Sequence, residues 1–84
     1  MKILVCEYEY GEYVSFVCKS VEALADHYIK TEASDAGELV QSQVRDCIME
    51  SISLDAEHGA EQSADFDDGS PFIVVHVYDT EKLA

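Results

Sequence analysis

An almost uninterrupted run of β-forming residues near the end of the chain constrains the fold most strongly. It reads Phe-Ile-Val-Val-His-Val-Tyr over residues 72–78 and follows Pro71. A strand with one face in water normally alternates apolar and polar residues, whereas this run is apolar at almost every position. It therefore predicts a strand that is covered on both faces or lies in the middle of a sheet.

The start of the chain predicts a β-hairpin. Residues 2–10 begin as an apolar run and end with Glu and Tyr in alternation, and residues 13–19 are again rich in β-formers. Between them stand Gly11 and Glu12, which suit the two-residue turn of a hairpin. The pattern predicts two paired strands joined by this turn.

Three tyrosines cluster at the tip of this predicted hairpin. With Gly11 in the turn, Tyr10 would face Tyr13 and Tyr8 would face Ser15, so the three rings share one sheet face. Tyrosine is enriched at protein interfaces because it buries a large area at low entropic cost. The cluster therefore indicates an interaction surface, although a cross-strand ladder that only stabilises the sheet explains it equally well.

Two amphipathic helices are predicted to follow. Ser20 is placed to cap a first helix that ends near Lys30, and Asp35 with Glu38 resembles a capping box for a second helix that ends near Leu54. The first helix carries an apolar stripe of Val21, Leu24, Ala25 and Tyr28. The stripe of the second is longer and comprises Val40, Val44, Cys47, Ile48, Ser51 and Ile52.

The segment 55–70 contains six carboxylates, no cation and two glycines. This composition predicts an exposed loop before the last strand. The order of elements is then β-β-α-α-β. We expect an α+β fold in one domain spanning residues 1–84, with a three-stranded, mostly antiparallel sheet and two helices packed on one face.

The charge balance limits the possible partners. The chain has 18 acidic and 5 basic residues and a formal net charge of -13. Nucleic acid is bound through its phosphates by the opposite charge, so direct binding of DNA or RNA is not expected. A basic protein surface is the natural complement, because the field of the protein accelerates encounter with a positively charged partner.

The acidic residues are concentrated in the second half of the chain. From Asp46 through Glu81 there are ten of them and no Lys or Arg. Asp46 and Glu50 lie four apart on the second predicted helix, about 6 Å along its axis. This distance is comparable to the phosphate spacing of a nucleic-acid strand, about 3.4 Å of axis per phosphate. The alternative is that the charge serves solubility alone.

Sequence patterns for chemistry are weak. The three His and three Cys show no HxxxH, CxxC or HExxH spacing, and Asp55–Asp68 fits an EF-hand loop in no register, so we expect no metal and no cofactor. A cysteine paired with His76 is a remote candidate for catalysis, and we expect no enzyme. The odd cysteine count indicates a reducing compartment, and no apolar stretch is long enough to span a membrane, so a cytoplasmic location is expected.

The leading hypothesis is an acidic inhibitor that mimics nucleic acid and blocks a basic surface of a nucleic-acid-handling protein. Anti-CRISPR proteins of phages, anti-restriction proteins and bacterial immunity proteins act in this style, and the link to them is an analogy of strategy only. The alternative is a non-catalytic module that dimerises through the tyrosine-bearing sheet face. The predicted partner-binding residues are Asp46, Glu50, Asp55, Glu57, Glu61, Asp65, Asp67, Asp68, Tyr8, Tyr10 and Tyr13.

Overall fold

A computed structural model describes residues 1–9, 12–66 and 70–82. The α+β class and the two helices are confirmed, but the sheet has four strands rather than three. In chain order the elements are β1 (Lys2–Glu9), β2 (Glu12–Cys18), α1 (Val21–Glu32), α2 (Glu38–Ser51), β3 (Glu61–Phe66), β4 (Ser70–Asp79) and a short 3-10 helix (Thr80–Lys82).

All strand pairs of the sheet are antiparallel, and the order is β2-β1-β4-β3. β4 contains the apolar run and lies between β1 and β3, which confirms its predicted place in the middle of the sheet. Its side chains Ile73, Val75 and Val77 are fully buried. Of the residues that point away from Ile73, Val75 and Val77, Val74 is buried and His76 and Tyr78 are half-buried, so the strand carries apolar or aromatic side chains towards both faces.

The additional strand, β3, was predicted to be part of an exposed loop. Glu61–Phe66 pairs with β4 and forms one edge of the sheet. Ala64 is fully buried, whereas Glu61, Ser63 and Asp65 are exposed. An edge strand needs one paired side and one buried face, so a mostly polar segment forms it without a run of large apolar residues.

The hairpin pairs in a different register from the predicted one. β2 begins at Glu12, which is the Cα partner of Glu9 and therefore not a turn residue, and Tyr8 pairs with Tyr13 rather than with Ser15. A β-bulge between Cys6 and Tyr8 shifts the register. The pairing of Glu12 with Glu9 therefore displaces the predicted pairs by two residues near the turn, and the bulge, which adds one residue to one strand only, leaves a displacement of one residue beyond Cys6.

The two helices begin in different ways. Ser20 caps α1 as predicted, because its Oγ accepts a hydrogen bond from the Ala23 N–H at 3.1 Å. The N-cap of α2 is Gly37 rather than the predicted Asp35, and no side chain forms a capping hydrogen bond there. α1 and α2 contain 12 and 14 residues, and no helix in the described part of the chain is long and apolar enough to cross a membrane.

Both helices cover the same face of the sheet. Their buried residues Leu24, Tyr28 and Ile48 belong to one hydrophobic cluster with alternate strand residues such as Leu4 and Val75. The complete set of buried residues in this cluster is Leu4, Cys6, Cys18, Leu24, Ala25, Tyr28, Val44, Ile48, Ile52, Ala64, Ile73, Val75 and Val77. Because side chains alternate between the faces of a strand, the intervening residues point away from the helices.

Candidate functional site

Six of the predicted acidic residues lie in three consecutive elements, and all six side chains are exposed. The set comprises Asp46 and Glu50 on α2, Asp55 and Glu57 in the turn after it, and Glu61 and Asp65 on β3. Asp67 and Asp68 lie outside the described residues. The three elements follow one another along the chain, and α2 contacts β3 directly.

A hydrogen bond joins α2 directly to β3. The Cys47 Sγ donates to the backbone oxygen of Asp65 at 2.9 Å. At about 100° of rotation per helical residue, Asp46 and Glu50 occupy the exposed flank of α2 next to Cys47. Asp46, Glu50 and Asp65 are thus exposed carboxylates on two elements that this bond joins, and we call them the α2–β3 acidic cluster.

The chain that leaves α2 is also held against β3. The Ser53 N–H donates to Gln62 Oε1, and Gln62 Nε2 donates to the Ser53 oxygen, both at 2.7 Å. Two residues in paired strands exchange N–H and C=O hydrogen bonds in the same way, and here the Gln62 side-chain amide takes the place of one backbone. It fixes the turn that carries Asp55 and Glu57 beside the start of β3.

Cations are placed unevenly around these carboxylates. Among the described residues, neither Asp46, Glu50 nor Asp65 forms an ion pair with a lysine or arginine. Arg45, which neighbours Asp46 in the sequence, instead pairs with Asp26 on α1. The negative charge of the α2–β3 acidic cluster is consequently unrelieved by basic side chains of the described chain.

The turn has a different environment. It borders an open pocket of about 390 Å³, lined by Lys2, Asp55, Glu57, His58, Asp79 and Lys82, which we call the turn pocket. Lys2 Nζ donates to the backbone oxygens of Ala56 at 3.1 Å and Asp55 at 3.4 Å. Two lysines and three acidic residues therefore line one pocket, and within the described residues no ion pair joins Lys2 or Lys82 to these carboxylates. The sequence alone did not predict that lysines lie beside this turn, because Lys2 is far from it along the chain.

Hydrogen bonds tie the turn pocket to the end of β4. His58 Nδ1 accepts from the Asp79 N–H at 2.9 Å, so this nitrogen carries no proton in that arrangement. Gly59 donates to the Val77 oxygen at 2.7 Å and has a φ of 84°, a left-handed conformation that glycine adopts without strain. These bonds give the turn a fixed conformation.

Asp79 has a lowered pKa. The main cause is the hydrogen bond from the Glu81 N–H to its Oδ1 at 3.1 Å, which stabilises the carboxylate. Partial desolvation opposes the shift, while the Met1 ammonium at 3.6 Å and Lys82 add to it. The carboxylate of Asp79 therefore interacts with groups close to it, namely the Glu81 N–H, the Met1 ammonium and Lys82.

Glu61 has an ionisable neighbour on the sheet. Its Oε2 lies 3.5 Å from His76 Nε2, and the two residues are Cα partners on β3 and β4. The pair is an ion pair only when the imidazole is protonated. Glu61 thus has a neighbour, His76, that carries a positive charge in only one of its protonation states.

Two of the three cysteines lie on the opposite face of the sheet from His76. Cys6 and Cys18 are buried on the helix-covered face, and burial raises the pKa of the Cys18 thiol. His76 alternates with the buried Val75 and Val77, so it points to the opposite face. In the described residues no three His, Cys, Asp or Glu side chains converge in a way that would hold a metal ion.

The predicted tyrosine surface falls mostly outside the described part of the chain. The backbone of Tyr8 pairs with that of Tyr13. Their side chains and the whole of Tyr10 are not among the described groups. The shared face of these three residues therefore remains a prediction.

No family model matches the chain, and searches of curated proteins and of solved structures found no match. Function is accordingly inferred from the side chains themselves.

Proposed function

We propose that this protein acts by binding rather than by catalysis: it occupies a basic surface of a nucleic-acid-handling protein and blocks it, as an acidic inhibitor or nucleic-acid decoy. The observation that supports this proposal is the α2–β3 acidic cluster. Asp46, Glu50 and Asp65 are exposed, lie on adjoining elements and have no basic partner among the described residues.

The spacing of the cluster suits a partner that binds nucleic acid. Asp46 and Glu50 are separated by about 6 Å along the helix axis, which is roughly the rise of two phosphates of one strand. The contact between Cys47 and Asp65 adds a third carboxylate from a second element. Lysine and arginine side chains that are positioned for phosphates would meet charges at comparable distances.

The cluster is unfavourable for the isolated protein. Like charges four residues apart weaken a helix by about 0.2–0.5 kcal/mol, and the net charge of -13 adds general repulsion. Cations of a partner would remove both costs on binding. A role in binding explains why no lysine alternates with these residues on α2.

The experiment is an affinity capture with matched variants. The wild-type protein would be immobilised in nuclease-treated extract at low salt, and bound proteins would be eluted by a salt gradient. The test variant is Asp46→Asn/Glu50→Gln/Asp65→Asn. The control, Glu32→Gln/Asp35→Asn/Glu38→Gln, removes the same charge, and Glu38 lies about 18 Å along α2 from Glu50.

The proposal predicts a basic protein that the wild type and the control retain and the test variant loses. Duplex DNA or RNA should then compete with the protein for the purified partner, because both would occupy the same surface. Equal loss in both variants would show that only total charge matters, which is the solubility alternative. Binding that nucleic acid does not displace would contradict the decoy mechanism.

A further inference from the structure

The face of the sheet opposite the helices is apolar over part of its area. Its residues alternate with the buried core positions of β1, β2 and β4, and in the described part of the chain no helix packs on it. Val17 is 59% exposed, and Ile3 and Val5 are half-buried. The area ends at Val74, which is buried. We call the residues Ile3, Val5, Val17, His76 and Tyr78 the open sheet face.

The strand register orders these side chains into rows. Val17 pairs with Val5, Val5 pairs with His76, and His76 pairs with Glu61. Ile3 and Tyr78 form a pair in the neighbouring row. Each row therefore contains aliphatic groups, and the first ends in a carboxylate at the β3 edge, the edge that also carries Asp65.

A solvated face of an antiparallel sheet normally carries polar residues. Here Ile3, Val5 and Val17 occupy three of those positions, in a chain with 18 acidic residues available. Protein interfaces combine an apolar centre with a polar or charged rim. On the open sheet face, Val17 and Val5 form the apolar part, on β2 and β1, and Glu61 is the charged residue at the opposite edge.

We infer that the open sheet face binds an apolar side chain of the same basic partner, flanked there by lysine or arginine. This inference rests on the proposed function. Charge complementarity selects this occupant: a second copy would bring a net charge of -13 against another -13, whereas a basic partner lowers the repulsion. The partner's aliphatic contact lies over Val5 and Val17, and its cations meet Glu61 and the acidic edge.

The test uses two short lysine-rich synthetic peptides of equal charge that differ only at two central positions, Leu-Leu or Ser-Ser. The protein variants are Val17→Ser and, as a matched control, Leu39→Ser. Leu39 is 72% exposed and lies on α2, in the other layer of the fold. Because both side chains are largely exposed, neither change is expected to alter folding appreciably.

We expect the Leu peptide to bind the wild type about fivefold more tightly than the Ser peptide, from the burial of aliphatic surface. Val17→Ser should abolish that difference and Leu39→Ser should preserve it. The Ser peptide should bind all three proteins equally, with the same salt dependence, because the number of ion contacts is unchanged.

The outcomes separate this inference from the function on which it rests. If both peptides bind equally well, or if Val17→Ser leaves their difference intact, the inference is overturned while charge-driven binding stands. If neither peptide binds, both fail. A dimer in sedimentation equilibrium that Val17→Ser dissociates would show that a second copy covers the face, and would overturn the inference in favour of self-association.

Discussion

The α2–β3 acidic cluster and the turn pocket both contain aspartate and glutamate, but the surroundings of these residues differ. Within the described residues, neither group forms an ion pair with a lysine or arginine, but Asp55 and Glu57 line a pocket together with Lys2 and Lys82. The two groups thus differ in the lysines that line the turn pocket, and not in ion pairs of their own. Local charge in this protein depends on which distant residues the fold brings together.

The difference also separates two uses of charge. In the turn pocket, Lys2 donates to backbone oxygens and Asp79 accepts a backbone N–H, so these groups maintain the conformation of the chain. Within the described residues, the side-chain oxygens of Asp46, Glu50 and Asp65 accept no such hydrogen bond. We therefore expect the pocket to affect stability and the cluster to affect binding.

The largest expected effect is on binding. Asp46→Asn/Glu50→Gln/Asp65→Asn should weaken the complex with the Ser-containing lysine peptide about thirtyfold at low salt, or about 2 kcal/mol. Asp55→Asn/Glu57→Gln should weaken it about threefold or less, because Lys2 and Lys82 line the same pocket and repel a cationic peptide there. Isothermal titration calorimetry measures both. Equal losses per charge removed would eliminate the distinction between the two regions.

The next effect is on stability. Lys2→Met keeps the aliphatic part of the side chain but removes the hydrogen bonds to Asp55 and Ala56, and should lower the free energy of unfolding by about 1 kcal/mol. Urea denaturation measures the change. Lys19→Met, at an exposed position, is the control and should have little effect. An unchanged stability in Lys2→Met would show that the turn does not depend on this contact.

A smaller effect of opposite sign is expected on α2. Glu50→Lys replaces a like-charge pair with Asp46 by an attractive one and adds a cation to the last helical turn, so it should raise stability by about 0.5 kcal/mol. It should weaken peptide binding at the same time. Glu22→Lys, at the start of α1, should instead lower stability because it opposes the helix dipole. A Glu50→Lys variant that binds as tightly as the wild type would contradict the assignment of the cluster.

The smallest effect is the pH dependence contributed by Asp79. Its pKa is lowered in the folded protein, so its carboxylate stabilises the fold above the pKa of the unfolded chain, and this contribution is lost as the pH falls through the folded pKa. Asp79→Asn should be less stable than the wild type near pH 7. The difference in urea midpoints should shrink steadily as the solution is acidified below about pH 4. A difference that is constant with pH would show that the hydrogen bond does not require the charge.

The sequence predicted the elements whose pattern is local and strong. The apolar run of β4 and the apolar stripe of α2 determine their own structure, since each must be buried to be stable. β3 was missed because its inward positions are Gln62 and Ala64, which carry little hydrophobic signal. Gln62 is satisfied by Ser53, a contact that only the folded chain shows.

Other features depended on geometry that no local pattern specifies. The pairing of Glu12 with Glu9 and the bulge after Cys6 together set the hairpin register, and the α2 cap at Gly37 leaves Asp35 in the preceding turn. For the site, the exposure of Asp46 and Glu50 followed from the helical period. The difference between Asp65 and Asp55 did not, because it depends on a lysine at the other end of the chain.

Near-surface electrostatic potential tests the central claim most directly, and it needs no knowledge of the partner. NMR relaxation of backbone amide protons, measured with cationic and with anionic nitroxide cosolutes, gives this potential residue by residue. We predict the most negative values around Asp46, Glu50 and Asp65, and less negative values at Asp55 and Glu57. Values that are equally negative at the turn and along α1 would contradict a distinct acidic binding surface.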